Sequence, residues 1–388
     1  MALVTTHSLE QLLAAKEIAI CCGAGGVGKT TTAAAAAAMA AVSLGGKVLV
    51  LTVDPARRLA DALGMEQLGN VEVRVPDAVM QAAGVEPRGE LWAAMLDAKQ
   101  SWDELVRRHA PDPATVTRIL ENPLYQNISG RFAQGNEYIA MERLYEIHRT
   151  GVYDLIVVDT PPTRHALDFL EAPDRMAEFF SSRLLRWLTA PARSRMLTLA
   201  SRPFYQVADR ILGTQFLQDI AEFFLLFQTM YDGFVERSHA VKRLVHGRRT
   251  TFIVVTTLES TPLREAEFFL DALVGLGLHP GALILNKVLP AYLLDPGATR
   301  VAERLRGDGG ALAGELGAEA GEPAAVARVL HEVGESFLNF GVVAKREAEQ
   351  RAQLGTRPDV LVAVPFFDTD IYDLAGLLRL GRILWSAG

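Results

Sequence analysis

Residues 17 to 31 read Glu17-Ile-Ala-Ile-Cys-Cys-Gly-Ala-Gly-Gly-Val-Gly-Lys-Thr-Thr31: an apolar run, a glycine loop, then a lysine, paired threonines and an alanine-rich stretch. The spacing from Gly23 to Thr30 is G-x-x-x-x-G-K-[ST] in a strand-to-helix context, the pattern of a phosphate-binding loop. Gly23, Ala24, Gly25, Gly26, Val27 and Gly28 can turn their backbone N–H groups around a phosphate, because few Cβ atoms stand in the way. The positive end of the following helix adds to that field. Lys29 is placed to reach the β- and γ-phosphates, the Thr30 hydroxyl to ligate Mg²⁺, and Thr31 to complete the phosphate cradle. Gly23, Gly25 and Gly28 also spell G-x-G-x-x-G, a dinucleotide fingerprint, with Asp54 as a ribose acid. A dinucleotide fold has no use for Lys29-Thr30 behind the last glycine or for Pro-Ala-Arg-Arg behind the acid, so the nucleoside-triphosphate reading prevails.

The chain has 388 residues, 49% hydrophobic and 22% charged, which suits one large or two ordinary globular domains with a substantial core. A formal charge of −7 with scattered Lys and Arg argues against a nucleic-acid partner. The two cysteines, Cys21 and Cys22, are adjacent in the first apolar run and point to opposite faces of a strand. They suit core packing in a reducing, cytoplasmic compartment and provide no disulfide or metal framework. No signal-peptide pattern and no bilayer-length apolar segment is expected.

Apolar runs recur at 18–22, 47–53, 71–75, 91–96, 153–159, 251–256, 282–288 and 360–365, alternating with helical patterns. This predicts an α/β fold, a mostly parallel sheet of roughly eight strands flanked by helices, within a single domain over 1–388. Residues 99–149 read as helices interrupted at Pro111, Pro113 and Pro123. The Gly- and Ala-rich stretch 306–323 reads as a mobile or irregular connection. Residues 171–250 read as an inserted helical subdomain, and 8 of the chain's 17 Phe fall between Phe179 and Phe234. Phe216, Phe223, Phe227 and Phe234 follow helical spacing, which fits either a packed helical core or a groove for an apolar client.

Asp54 closes a strand beside the loop, where a carboxylate can orient water for in-line attack on phosphorus. The run Tyr153-Asp-Leu-Ile-Val-Val-Asp159 is a hydrophobic strand ending in an acid suited to Mg²⁺, so Thr30, Asp54 and Asp159 make the expected metal shell. Thr160-Pro-Pro-Thr-Arg-His165 stands where a γ-phosphate-sensing switch belongs. Asn286 closes another strand, where an amide can read a purine edge.

These segments resemble the arsenite-pump ATPase (ArsA) family, which includes ATPases that target tail-anchored membrane proteins. The resemblance covers nearly the whole chain: Gly23–Thr30, Asp54–Asp61, Asp159–Leu170, Asn286-Lys287 and Val364–Phe367. It implies ATP and Mg²⁺ as ligands, Asp54 as the water-activating acid, and adenine contacts from Asn286, Pro365 and Phe366. It further implies a homodimer, or a heterodimer with a related ATPase, that energises transport or membrane-protein targeting. Gly135-Asn-Glu137 is similar to the family's Gly-x-Asp-Glu segment. The chain is most similar to an actinobacterial-type branch, and it departs from the family at Ala24, where a signature lysine would stand. The family's arsenite and zinc cysteines have no counterpart. Arg164, with Arg57 and Arg58 behind it, is the expected replacement cation and therefore a catalytic candidate. Two other readings stand beside this one: a slow or non-hydrolysing, nucleotide-dependent interaction subunit of a heterodimer, and a Min-type membrane-cycling ATPase using the amphipathic stretch 371–385.

Overall fold

A computed structural model describes residues 8–53, 58–129, 133–161, 170–172, 174–175, 178, 214–316, 321–354 and 358–386. Eight strands form one sheet: β1 (Ile18–Gly23), β2 (Gly46–Thr52), β3 (Val73–Arg74), β4 (Gly89–Met95), β5 (Leu155–Asp159), β6 (Thr250–Thr256), β7 (Pro280–Val288) and β8 (Val360–Pro365). Their order is β3-β4-β2-β5-β1-β6-β7-β8, parallel throughout except for the short edge strand β3. β1, β5 and β6 are buried along their whole length, so they can be apolar on both faces, as strands covered by helices on both sides require.

β1 is central, with β5 on one side and β6 on the other. Its alternating side chains feed two separate cores: Cys21 joins the core on one face and Cys22 the core on the other. The first core is dominated by α2 (Lys29–Ser43), which is nearly all alanine, lying between the sheet and α15 (Leu374–Ser386). Gly381 permits that approach, since a Cβ there would run into Met39. The second core is aromatic. It gathers Trp102, Tyr125, Tyr138, Phe223, Phe227 and Phe234 from α5 (Ala98–His109), α7 (Pro123–Ile128), α8 (Ala133–Arg149), α9 (Thr214–Gln228) and α10 (Tyr231–Val245).

The prolines of 99–149 start helices. Pro113 opens α6 (Pro113–Glu121) behind the Asp112 cap, whose carboxylate accepts from the Thr115 N–H at 2.8 Å. Pro123 opens α7 behind the Asn122 cap. The expectation of an irregular connection over 306–323 is corrected. α12 (Pro296–Gly307) and α13 (Gly309–Leu316) are regular helices against the 31-residue α14 (Pro323–Gln353). Small residues serve close packing here: a Cβ on Gly309 would lie 2.9 Å from the Ala327 carbonyl. Within the Phe-rich insertion, Phe223, Phe227 and Phe234 are buried in the same core as the sheet residues, with Phe227 and Phe234 stacked at 5.8 Å. α9 and α10 therefore share the sheet's core. Phe179, Phe180, Phe204 and the Phe216 side chain lie outside the described residues. Among the described residues no helix is long and apolar enough to cross a membrane.

Candidate active site

The glycine loop joins β1 to α2 at the carboxyl edge of the sheet, beside the ends of β5 and β7. Gly23 is obligatory because a Cβ would run into the Val255 carbonyl of the neighbouring strand. Gly28 caps α2 in the left-handed region (φ 94°) and offers no side-chain cap, which leaves the first-turn N–H groups facing the loop. Gly25 and Gly26 have open space where a Cβ would stand. Ala24 is 7% exposed and Val27 2% exposed, so both side chains pack inward and fix the loop's shape from behind.

Lys29 is buried, and its ammonium donates to the Ala24 carbonyl at 3.0 Å, folding back over the loop it would share with phosphate. The Thr30 hydroxyl donates to Asp159 Oδ2 at 2.7 Å, which joins the start of α2 to the end of β5. These two hard oxygen ligands, side by side against the loop, fit the donor chemistry of Mg²⁺. Thr52, at the end of β2, donates to the same carboxylate oxygen at 3.0 Å. Sequence reading missed Thr52. A hydroxyl at the end of an apolar run, two positions before Asp54, was the available signal. Thr160 is tied to β1 through its hydroxyl, which donates to the Cys21 carbonyl at 2.8 Å.

Thr31 lines a cavity of about 160 Å³ with Thr30, Arg58, Asp61, Ile371 and Tyr372, so Arg58 stands near the first turn of α2. Asp54, Arg57 and Arg164, together with the switch residues 162–169, lie outside the described residues. Glu137 sits buried in α8; the Gly135 and Asn136 side chains lie outside the description.

The Asn286 amide faces the glycine loop. Its Nδ2 donates to the Val27 carbonyl at 2.8 Å, and its Oδ1 accepts from the Lys287 N–H at 2.9 Å. That amide also explains Gly28, where a Cβ would collide with Asn286 Nδ2. Pro365 ends β8 opposite Val288, and Phe366 behind it is 57% exposed. Both cysteines are free and fully buried, and burial pushes the Cys22 thiol up to about 12 and Cys21 well above its ordinary value. Neither supplies a thiolate near neutral pH.

The chain is similar to known proteins over most of its length. Residues 16–305 match the profile of a family described as anion-transporting ATPase. An ATPase ASNA1 homolog of Entamoeba dispar is 26% identical over 75% of this chain and 82% of that protein. A Chlorobaculum tepidum protein provisionally named an arsenical pump-driving ATPase is 26% identical over 69% of this chain, which spans 60% of that protein. The ATPase get3 of Aspergillus terreus is 25% identical over 69% of this chain and 72% of that protein.

Proposed function

We propose that this chain, which belongs to the anion-transporting ATPase family and is an ATPase, works as a Mg²⁺-dependent, nucleotide-switched dimer that energises transport or membrane-protein targeting. The observation that carries the reading is the 2.7 Å bond between Thr30 and Asp159 beside Lys29, because it gathers the metal-type oxygens and the phosphate cation at one helix start. Thr30 and Asp159 would hold Mg²⁺, with Asp54 completing the shell; the bound ion supplies positive charge on the β- and γ-phosphate oxygens. Lys29 would leave the Ala24 carbonyl to pair with phosphate. Asp54 would orient the attacking water. Thr160, anchored on β1, would relay the state of the site into the switch that follows it. A relative named as an arsenical pump-driving ATPase supports coupling of hydrolysis to transport. On the same proposal, an apolar or membrane-protein client is handled by a homodimer or by a heterodimer with a related ATPase.

Ala24 favours a second reading, a slow interaction subunit, because phosphoryl transfer gains orders of magnitude from a cation on the developing charge. Arg164 is the proposed substitute for the missing lysine. Turnover measured beside ATP affinity separates the readings. Lys29→Ala should abolish nucleotide binding, whereas Asp54→Asn should keep Mg-ATP affinity and lose at least 100-fold in turnover, within the order of catalytic electrostatic effects. Equal loss of binding in both variants would reduce Asp54 to a structural cap. Arg164→Ala should lower turnover about tenfold at unchanged affinity, and unchanged turnover would remove Arg164 from the mechanism.

A further inference from the structure

Among the described residues, Lys287 is the non-glycine residue with positive φ, at 58°. Side chains with a Cβ rarely hold that conformation without a local reason. The reason lies in the sheet. β7 pairs Leu285 with Ala363 and Val288 with Pro365, so Asn286 and Lys287 together face one residue of β8, as a bulge. Bulges re-aim side chains, and this one sends two consecutive side chains to the same loop. Asn286 Nδ2 donates to the Val27 carbonyl at 2.8 Å, and Lys287 Nζ donates to the Gly26 carbonyl at 3.3 Å. The Lys287 N–H to Asn286 Oδ1 bond of 2.9 Å locks the turn between them. Behind the bulge, the Leu289 N–H is held by the Glu347 carboxylate of α14 at 3.0 Å.

The consequence is an exposed lysine stem tethered at both ends. It is fixed at the strand by its backbone and at the loop tip by its ammonium. A tethered methylene stem with a cation at its end presents a flat, apolar, positively charged edge, which suits the π-face of an aromatic base. It stands outside the phosphate loop, on the side where β7 and β8 end. Phe366 projects from that same edge, 57% exposed, with its N–H donating to the Val288 carbonyl at 2.8 Å. The Asn286 amide uses one N–H on the loop and one lone pair on Lys287, which leaves a second N–H and lone pair for a purine edge and the base face to its neighbour.

We propose that Lys287 is a specificity-determining residue of the nucleotide site: its stem stacks on the base of the bound nucleotide and selects purine over pyrimidine triphosphates. The proposal rests on the nucleotide-binding reading above. A larger ring offers more surface to the stem, so purines gain more than pyrimidines from the contact.

The test is calorimetric binding of ATP, CTP and inorganic tripolyphosphate, each with Mg²⁺, to the full chain and to Lys287→Gly and Lys287→Met. Lys287→Gly removes the stem and relieves the backbone conformation, so its melting temperature should hold or rise. Its ATP affinity should fall about tenfold, its preference for ATP over CTP should shrink, and tripolyphosphate should bind within about twofold of the parent. Lys287→Met keeps the stem and loses the tether, so it should fall between the two. Unchanged ATP affinity in Lys287→Gly would overturn the clamp. Equal weakening of ATP and tripolyphosphate would overturn it too, by assigning Lys287 to the shape of the loop. A parent protein that binds tripolyphosphate but discriminates no base would defeat the clamp alone, and a parent that binds neither ligand would defeat the nucleotide site itself.

Discussion

On one face of the sheet, α2 contributes Ala33 through Ala38, each 1% exposed or less; on the other, Trp102, Tyr125, Tyr138, Phe227 and Phe234 fill the same depth with rings. The alanine face leaves no slack. α2 lies close to the strands, and Gly381 lets α15 close over it from outside, so the start of α2 cannot move without moving its whole length. That rigidity is useful where a helix start must aim N–H groups at phosphate. The aromatic face is built from chain segments far apart in sequence, and it carries buried charge. Glu142, 1% exposed, pairs with Arg237, accepts from the Tyr138 hydroxyl at 2.6 Å, and lies beside His109. One face backs the candidate site, and the other supplies bulk.

The contrast is open to direct attack. The largest effect should come from Phe234→Ala, which empties the centre of the ring cluster. A loss of about 3–5 kcal/mol is expected in denaturant unfolding, while ATP affinity measured below the transition stays close to the parent's. A large drop in affinity at full folding would show that the two faces are not independent. Next comes Ala36→Leu, which forces extra methylenes between sheet and α15. A destabilisation of about 1–3 kcal/mol is expected, and here ATP affinity should fall with stability, because α2 must shift to admit the side chain. Retained affinity would mean that the loop holds its shape without the helix behind it.

The smallest effect concerns pH. Burial first, then the Arg237 charge, lower His109 from 6.5 to about 4. The folded protein therefore resists a proton that the unfolded chain accepts, and stability falls as pH drops from about 6.5 toward about 4. His109→Gln should flatten that slope in melting temperature between about pH 7 and about pH 5. Glu142 has its pKa raised by desolvation and contributes an opposite slope above its ordinary value, but it is present in both proteins and leaves the difference to His109. A slope identical in the two proteins would place the acid sensitivity elsewhere.

Much of the site's position was legible because its signals are local. The apolar runs located all eight strands, and the two-residue β3 was read as longer because Val71 and Val75 flank it with apolar residues outside the ladder. The stretch 306–323 misled for a physical reason. Glycine and alanine mark loops when isolated, yet between packed helices they mark close approach, and only the neighbouring helix distinguishes the two. Asn286 was located at its strand end, but its side chain answers to the loop, which no reading of residues 282–288 could reveal. Thr52 was overlooked because a single threonine at the end of an apolar strand has no pattern of its own.

The sequence by itself determined the glycine loop, the strand that feeds it and the parallel sheet, since glycine spacing and unbroken apolar runs act over a few residues. It also determined that Cys21 and Cys22, adjacent in one strand, point to opposite faces of the sheet. Tertiary structure alone decided how distant groups meet: Thr30 and Asp159 across 129 positions, and Asn286 and Val27 across 259. It alone decided that a bulge would turn Lys287 toward Gly26. Such contacts depend on strand order and register, which set the distance between chain segments only once the sheet is assembled.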